Sequence, residues 1–179
     1  MILFQAFSVL LPILVSGLFF IAAIKRGWLL WLNKPIDFGT GLFGPNKNWR
    51  AMSFYVFGGT AVVVVLHLLQ PTQPWVAAYY ANNPISLGVL NGLAYSSGEL
   101  VNSFIKRRWG IAPGNDAKTK LGRALQAIFD NIDGALASGL VLATVFGADW
   151  TLLGIAFALS LATHSSTDVL MRRLRLKGK

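Results

Sequence analysis

The chain has 179 residues, of which 54% are hydrophobic and 13% are charged; a soluble domain usually carries about 25% charged residues. The formal net charge is +9, from 16 Lys and Arg residues against 7 Asp and Glu residues. A basic balance alone would suggest nucleic-acid binding, but a soluble domain of this size could not cover so much apolar surface. The composition therefore predicts a small integral membrane protein that does not bind nucleic acid. Since the chain has no Cys, disulfides, thiol catalysis and Cys-ligated metals are excluded.

Five apolar segments are long enough to cross a bilayer, whose hydrocarbon core of about 30 Å needs about 20 residues of helix. In chain order they cover residues 2–24, 52–69, 84–105, about 124–146 and 150 to about 170. The first lacks the basic start of a signal peptide, so we interpret it as a retained helix. These segments predict an all-α polytopic membrane protein with five transmembrane helices in a single domain, residues 1–179.

The basic residues alternate with these segments. All 16 lie in loop 25–50, in loop 106–123 or from residue 172 onwards, whereas loops 70–83 and 147–149 carry none. Lys and Arg concentrate on the cytoplasmic side of membrane proteins. The pattern therefore predicts an amino terminus outside, a cytoplasmic carboxyl terminus and a multi-pass protein of the cell membrane. Part of this charge would contact anionic membrane lipids.

Three acidic residues lie inside the predicted helices at a matched depth. Glu99 lies roughly 10 Å from the cytoplasmic end of its helix at about 1.5 Å per residue, and Asp130 and Asp133 lie at a comparable depth in the next helix. Three polar residues share the helix face of Glu99 because they follow it by three, four and seven positions: Asn102, Ser103 and Lys106. Because charged side chains in a membrane face one another or a water-filled cavity, we expect a polar pocket open to the cytoplasm.

Two interpretations of these acids remain open. Three carboxylates without a matching base inside the helices suit Mg²⁺, a hard cation that takes oxygen ligands. Alternatively, the acids form structural ion pairs with neighbouring Lys and Arg residues. His164 and Asp168 lie four positions apart on the fifth helix, and we interpret His164 as a hydrogen-bonding helix-end residue rather than a metal ligand.

The first basic loop is rich in Gly. Gly39 to Gly44 fits G-x-G-x-x-G, but no strand precedes it, and Pro45 stands where a Walker A loop has Lys. The loop therefore predicts a turn that delivers Lys47 and Arg50 to the head of the second helix. These bases suit phosphate contacts; anchoring to anionic lipid is the equal alternative.

Carboxylates for a metal, bases for phosphates and access from the membrane together predict catalysis on a phosphorylated lipid. Two metal ions held by shared carboxylates can stabilise an in-line phosphoryl displacement. Two other classes stay open: a small cation transporter or channel, and a non-catalytic membrane homologue that acts in assembly. The nearly apolar outer halves of the first, second and fifth helices argue against a path for ions.

Three sequence blocks resemble the CDP-archaeol synthases, which are related to the phosphatidate cytidylyltransferases. The first block, at 35–51, reads PIDFGTGLFGPNKNWRA and is similar to a Pro-Ile-Asp and Gly-Pro-Asn-Lys-Thr-Trp-Arg-Gly segment. The second, at 96–111, reads SSGELVNSFIKRRWGI and resembles Gly-Asp-x-x-x-Ser-Phe-x-Lys-Arg-Arg-x-Gly-Ile. The third, at 128–136, reads IFDNIDGAL and resembles Leu-Asp-x-x-Asp. The blocks follow the family order.

The resemblance implies a reaction in phospholipid biosynthesis. CTP and an isoprenoid ether lipid phosphate, 2,3-bis-O-geranylgeranylglycerol 1-phosphate, would give CDP-archaeol and pyrophosphate with Mg²⁺. The alternative within this class is a CDP-diacylglycerol synthase that acts on phosphatidic acid.

The resemblance also implies roles for individual residues. Glu99, Asp130 and Asp133 would hold the metal and, with Lys47, form the catalytic group. The residues that would bind substrate are Asn46, Lys47, Arg50, Ser103, Lys106 and Arg107. Asp37 belongs to the first block, with a structural or nucleotide-binding role.

The chain departs from the family pattern at three positions. Asn48 stands for Thr, Ala51 for Gly and Glu99 for Asp. Glu keeps the charge but reaches one methylene further, which would move a bound metal by about 1 Å, and a displacement of that size can reduce catalysis strongly. The expectation is an active enzyme, with an altered lipid substrate or weak activity as the alternative.

Overall fold

The structure is a computed structural model that describes the backbone of residues 1–173 and the side chains of residues 1–161. Helices dominate it, and the described residues contain no β-strand, only an isolated bridge between Pro35 and Asn48. The helices are α1 (Ile2–Arg26), α2 (Trp49–Ser53), α3 (Gly59–Leu69), α4 (Pro84–Arg108), α5 (Lys120–Phe146) and α6 (Trp150–Arg173).

A π-helical turn, Phe54–Gly58, joins α2 to α3, so that Trp49–Leu69 is one continuous helix. Residues 1–173 therefore form five long helices, the number that the sequence predicts. Short 3₁₀ turns, Leu30–Leu32 and Ala78–Ala81, lie in the loops that precede α2 and α4.

Local signals in the sequence set the helix ends. The α1 helix ends at Gly27 and the α5 helix at Gly147, both with positive φ, the conformation that Gly adopts at helix carboxyl termini. Asn83 caps the start of α4 and Thr119 caps the start of α5 through side-chain oxygens that accept backbone N–H groups. At the ends that carry the basic loops, the helices extend about a turn beyond the apolar segments, since charged residues continue a helix into the headgroup region.

Among the described residues, three helices are long and apolar enough to span a bilayer by length and composition: Ile2–Arg26, Trp49–Leu69 and Lys120–Phe146. The α4 helix has 25 residues but carries the polar residues of the predicted pocket. The described apolar part of α6 is Trp150–Leu161. The fold is thus that of an all-helical membrane protein with three clear candidate spans.

Glycines let α4 approach its neighbours closely. It packs against α5 on one side and against the α2–α3 helix on the other. A Cβ atom on Gly92 would lie 2.5 Å from the backbone oxygen of Tyr55, and one on Gly98 would collide with the backbone oxygen of Asp133. Because side chains at these positions would separate the helices, the two glycines determine how near the polar faces of α4 and α5 come to each other.

Loop 70–83 closes one end of the helix bundle. The Tyr80 hydroxyl donates to the Ser8 carbonyl at 2.9 Å, the Gln5 amide donates to Pro74, and the Asn82 amide donates to Phe146. Tyr79 and Tyr80 are buried in the main apolar cluster, with residues from α1, α3 and α6. The amino terminus, loop 70–83 and turn 147–149 therefore share one end of the bundle, and the two basic loops lie at the other.

Candidate functional site: paired carboxylates and lysines at a cavity entrance

Two lysines neutralise two of the predicted site acids. Lys47 Nζ lies 2.5 Å from Glu99 Oε2, which joins the first basic loop to α4. Lys106 Nζ lies 2.6 Å from Asp130 Oδ1, which joins α4 to α5. Both pairs are half-buried, so that each charge is compensated where water is scarce. The structure thus brings these four predicted site residues together at the end of the bundle that carries the basic loops.

Asn102 links the two acids of α5. Its Nδ2 lies 2.6 Å from Asp130 Oδ1 and 2.7 Å from Asp133 Oδ2, and the residue is 8% exposed. The amide donates to both carboxylates and holds them at a fixed separation. The resemblance implies no role for Asn102, although its position three residues after Glu99, on the same helix face, indicates that it belongs to the site.

The three acids are not gathered into one cluster. Within residues 1–161, no group of three His, Asp or Glu side chains comes together in a form suited to a metal ion. Glu99 is paired with Lys47, whereas Asp130 and Asp133 share Asn102. The metal role of Glu99, Asp130 and Asp133 stays a prediction.

Arg50 occupies a different environment from the lysines. It is 4% exposed, and its guanidinium donates to the Ala23 carbonyl at 2.5 Å, in the last turn of α1. The Ala23 carbonyl also accepts the backbone N–H of Trp28, and a cation at this position is favoured by the negative end of the helix dipole. The structure therefore shows Arg50 as a cap of α1 and does not bring it to the carboxylates; its phosphate contact stays a prediction.

Arg107 joins the two basic loops. Its Nε donates to the Phe43 carbonyl at 3.3 Å, and its Nη1 donates to the Ile111 carbonyl. Gly44 packs against Arg107 and Pro113. Arg107 therefore holds the Gly-rich loop against the segment that follows α4. Another predicted substrate-binding residue, Ser103, is buried on α4 beside Asn102.

The Asp37 carboxylate organises the Gly-rich loop from inside. It accepts the N–H of Phe43 at 3.0 Å and the N–H of Gly39 at 3.1 Å. These backbone hydrogen bonds, that from Phe43 foremost, lower the pKa of Asp37 below its usual value. Of the two roles expected for Asp37, the structure supports the structural one.

Asn48, one of the three departures from the family pattern, caps α2 by accepting the N–H of Ala51.

A cavity of about 740 Å³ opens beside the ion pair of Lys47 and Glu99. Asn46, Lys47 and Glu99 line its polar end. Apolar side chains of α1, α5 and α6 form most of the remaining wall. Tyr55 and Tyr95 lie between these two parts, with ring centroids 4.7 Å apart. A charged site thus adjoins a large apolar volume, a combination suited to an amphiphilic ligand.

The His164 and Asp168 side chains lie outside the described residues, and the interpretation of that pair stays a prediction.

Comparisons with known proteins agree on one family. The family described as CarS-like, CDP-archaeol synthase, matches residues 1–178. The chain is similar to a CDP-archaeol synthase of Methanopyrus kandleri, 31% identical over 80% of this chain and 78% of the relative. A CDP-archaeol synthase of Saccharolobus islandicus is 27% identical over 97% of this chain and 96% of the relative. One of Pyrococcus abyssi is 35% identical over 46% of this chain, and the match spans about half of that relative, 51%. No solved structure matches significantly.

Proposed function

The chain belongs to the CarS-like CDP-archaeol synthase family, as the three sequence blocks predict, and from this we propose that it transfers CMP from CTP to an isoprenoid ether lipid phosphate. The products are CDP-archaeol and pyrophosphate. One observation carries the proposal: the ion pair of Lys47 and Glu99 stands at the polar end of a large apolar cavity, and the Lys106–Asp130 pair lies at the same end of the bundle. Such a site can receive a nucleotide from water and a lipid from the membrane.

The donor set of the site fits Mg²⁺ in its chemistry. Asp130 and Asp133 offer carboxylate oxygens that Asn102 already holds close together, and Glu99 lies on the facing helix. Hard cations take oxygen ligands of this kind. We propose that these three carboxylates hold Mg²⁺, which when bound supplies charge stabilisation to the transferring phosphoryl group.

The lysines are suited to hold phosphate groups. Lys47 and Lys106 end in compact ammonium groups with three donors each, and both stand beside the carboxylates. We propose that they exchange carboxylate oxygens for phosphate oxygens when substrate binds, so that the acids become free for the metal. Substrate phosphates and metal would then assemble at the same place.

The reaction is a displacement at the α-phosphorus of CTP. An oxygen of the lipid phosphate forms a bond to this phosphorus, and the bond to the bridging oxygen of pyrophosphate breaks. The cationic groups stabilise the charge that moves to the leaving oxygens. The protein supplies position and charge, while the apolar cavity wall holds the isoprenoid chains out of water.

The site faces the cytoplasm in this proposal, since the two basic loops border it and CTP is a cytoplasmic substrate. All five helices cross the membrane, the amino terminus lies outside, and the basic loops also contact membrane lipids. The end that loop 70–83 closes argues against a cation path through the protein.

Turnover by the purified protein tests the proposal. The protein in detergent receives CTP, Mg²⁺ and either the ether lipid phosphate or phosphatidic acid, and pyrophosphate release is measured. We expect release with the ether lipid phosphate and less or none with phosphatidic acid. Failure to release pyrophosphate with either lipid contradicts the proposed activity, and equal rates contradict the proposed lipid preference.

Asp133→Asn tests the role of the carboxylates. The amide cannot replace a charged oxygen ligand, so turnover should fall at least about 100-fold while the protein stays folded in detergent. Asp149→Asn is the matched control, because Asp149 only caps α6 by accepting the N–H of Leu152 and Asn caps equally well. Similar turnover of the two variants would exclude Asp133 from the site.

A further inference from the structure

Ser96 lies in the cavity wall, one turn of α4 before Glu99. The residue is 6% exposed, and its hydroxyl oxygen is buried without a hydrogen-bond partner in the described part of the chain. A hydroxyl that has left water and found no partner is unfavourable. Packing alone therefore does not explain why a Ser, with its unpaired hydroxyl, occupies this position.

Three other hydroxyls on the described helices donate to a carbonyl of the preceding turn. Ser16 donates to the carbonyl four residues earlier at 2.6 Å, Thr60 does so at 2.6 Å and Ser53 at 2.8 Å. This bond back to the preceding turn is the usual solution for Ser and Thr in helices. Ser96 does not make it, although its backbone is equally helical. The Ser96 hydroxyl is thus an unused donor in the cavity wall, and rotation about the single bond χ1 would turn it toward a molecule in the cavity.

The level of Ser96 matches the chemistry of a lipid phosphate. At about 1.5 Å per residue, Ser96 lies roughly 4.5 Å further into the cavity than Glu99 along the helix. In a glycerol lipid phosphate, the oxygen on the second glycerol carbon is about 4–5 Å from the phosphorus at bond lengths near 1.5 Å. Ether oxygens only accept hydrogen bonds, and a hydroxyl can donate one. When the phosphate is held beside Lys47, this oxygen reaches the level of Ser96.

We propose that Ser96 is a specificity-determining residue for the lipid substrate, and that its hydroxyl donates a hydrogen bond to a glycerol ether oxygen of the lipid phosphate. The inference rests on the proposed function, since it assumes a glycerol lipid phosphate in the cavity. It separates the roles of the cavity: the lysines select the phosphate, the apolar walls accept the chains, and Ser96 recognises the glycerol between them.

Ser96→Ala is tested with two lipids of matched chains. One is the diether glycerol phosphate, and the other is a long-chain alkyl phosphate that lacks glycerol oxygens. Binding of each radiolabelled lipid to the full-length protein in detergent is measured without CTP, and pyrophosphate release is measured with CTP. Ser16→Ala is the matched control, because Ser16 is equally buried on a helix but bonds to Pro12 and does not line the cavity.

We expect Ser96→Ala to weaken binding of the diether lipid about tenfold, the effect of losing one hydrogen bond to a neutral acceptor. Binding of the alkyl phosphate and the KM for CTP should stay unchanged, as should every quantity in Ser16→Ala. An equal loss for both lipids, or no loss for either, would overturn the inference. Absence of pyrophosphate release from the unmodified protein would contradict the proposed function alone, because lipid binding still decides the role of Ser96.

Discussion

At the scale of residues, the polar groups of the bundle are arranged in compensating sets. A carboxylate in a membrane helix is costly unless an opposite charge or a donor stands beside it. Glu99 has Lys47, Asp130 has Lys106, and Asp133 shares Asn102 with Asp130. Each partner is also a group that can bind a phosphate or hold a ligand carboxylate in position. In the proposed function, the residues that stabilise the site would also prepare it for substrate.

Asn102→Ala should lower turnover about 10–100-fold, the usual effect of removing a residue that orients metal ligands. Without the amide, Asp130 and Asp133 repel each other and lose their fixed separation. Pyrophosphate release at saturating CTP is measured over a range of Mg²⁺ concentrations. The variant should need a higher Mg²⁺ concentration to reach half of its maximal rate, because its ligands bind Mg²⁺ less tightly.

Asn131→Ala provides the matched control for Asn102. Asn131 neighbours Asp130 on α5, but its amide donates to the Ala127 carbonyl of its own helix. A comparable loss of turnover in both variants would contradict the bridging role of Asn102.

At the scale of elements, glycine contacts fix the rotation and spacing of α4. Gly88 lies against Thr60, Gly92 against Tyr55 and Gly98 against Asp133. The π-helical turn occurs where Gly92 meets the α2–α3 helix, and such turns are frequent at functional sites. Arg50 then ties the start of this helix to the end of α1. These contacts bring Lys47 and Glu99 together from opposite sides of the site.

Gly92→Ala should destabilise the protein by about 1–3 kcal/mol, because the new methyl group must displace backbone atoms of Tyr55. Thermal unfolding in detergent measures the change as a lower midpoint. Gly139→Ala is the control, since a Cβ atom there would meet nothing within 4 Å and Ala is up to about 1 kcal/mol more favourable than Gly in a helix. Equal midpoints for the two variants would contradict the close packing of α4.

At the scale of the whole molecule, the two ends of the bundle differ. Loop 70–83 is packed into the apolar cluster and closes one end. The other end carries the basic loops, the ion pairs and the polar end of the cavity. This difference between the two ends agrees with the proposed reaction at a single membrane face.

The proposed orientation can be tested with single cysteines, since the chain has none of its own. Thr72→Cys lies in the exposed part of loop 70–83, and Lys118→Cys lies in the exposed segment before α5. A membrane-impermeant maleimide added to intact cells should label Thr72→Cys at once and Lys118→Cys only after permeabilisation. Labelling of both from the same side, or the reverse order, would contradict the orientation.

The sequence by itself determined the class of the protein. Apolar segments of sufficient length predicted the five helices, and the motif blocks predicted the family, because both depend on residues near one another in the chain. Helical periodicity also showed that Glu99, Asn102 and Lys106 share a face.

Only the tertiary structure decided which groups meet between helices. Several cations stand at one depth, and the sequence could not assign Lys47 to Glu99 and Lys106 to Asp130. It also could not show that Arg50 caps α1 or that Arg107 joins two loops; the phosphate contacts of these two residues stay predictions. Pairing between helices depends on their rotation and spacing, which close contacts such as those of Gly92 and Gly98 determine. A sequence pattern within one helix carries no information on how that helix is rotated or spaced relative to its neighbours.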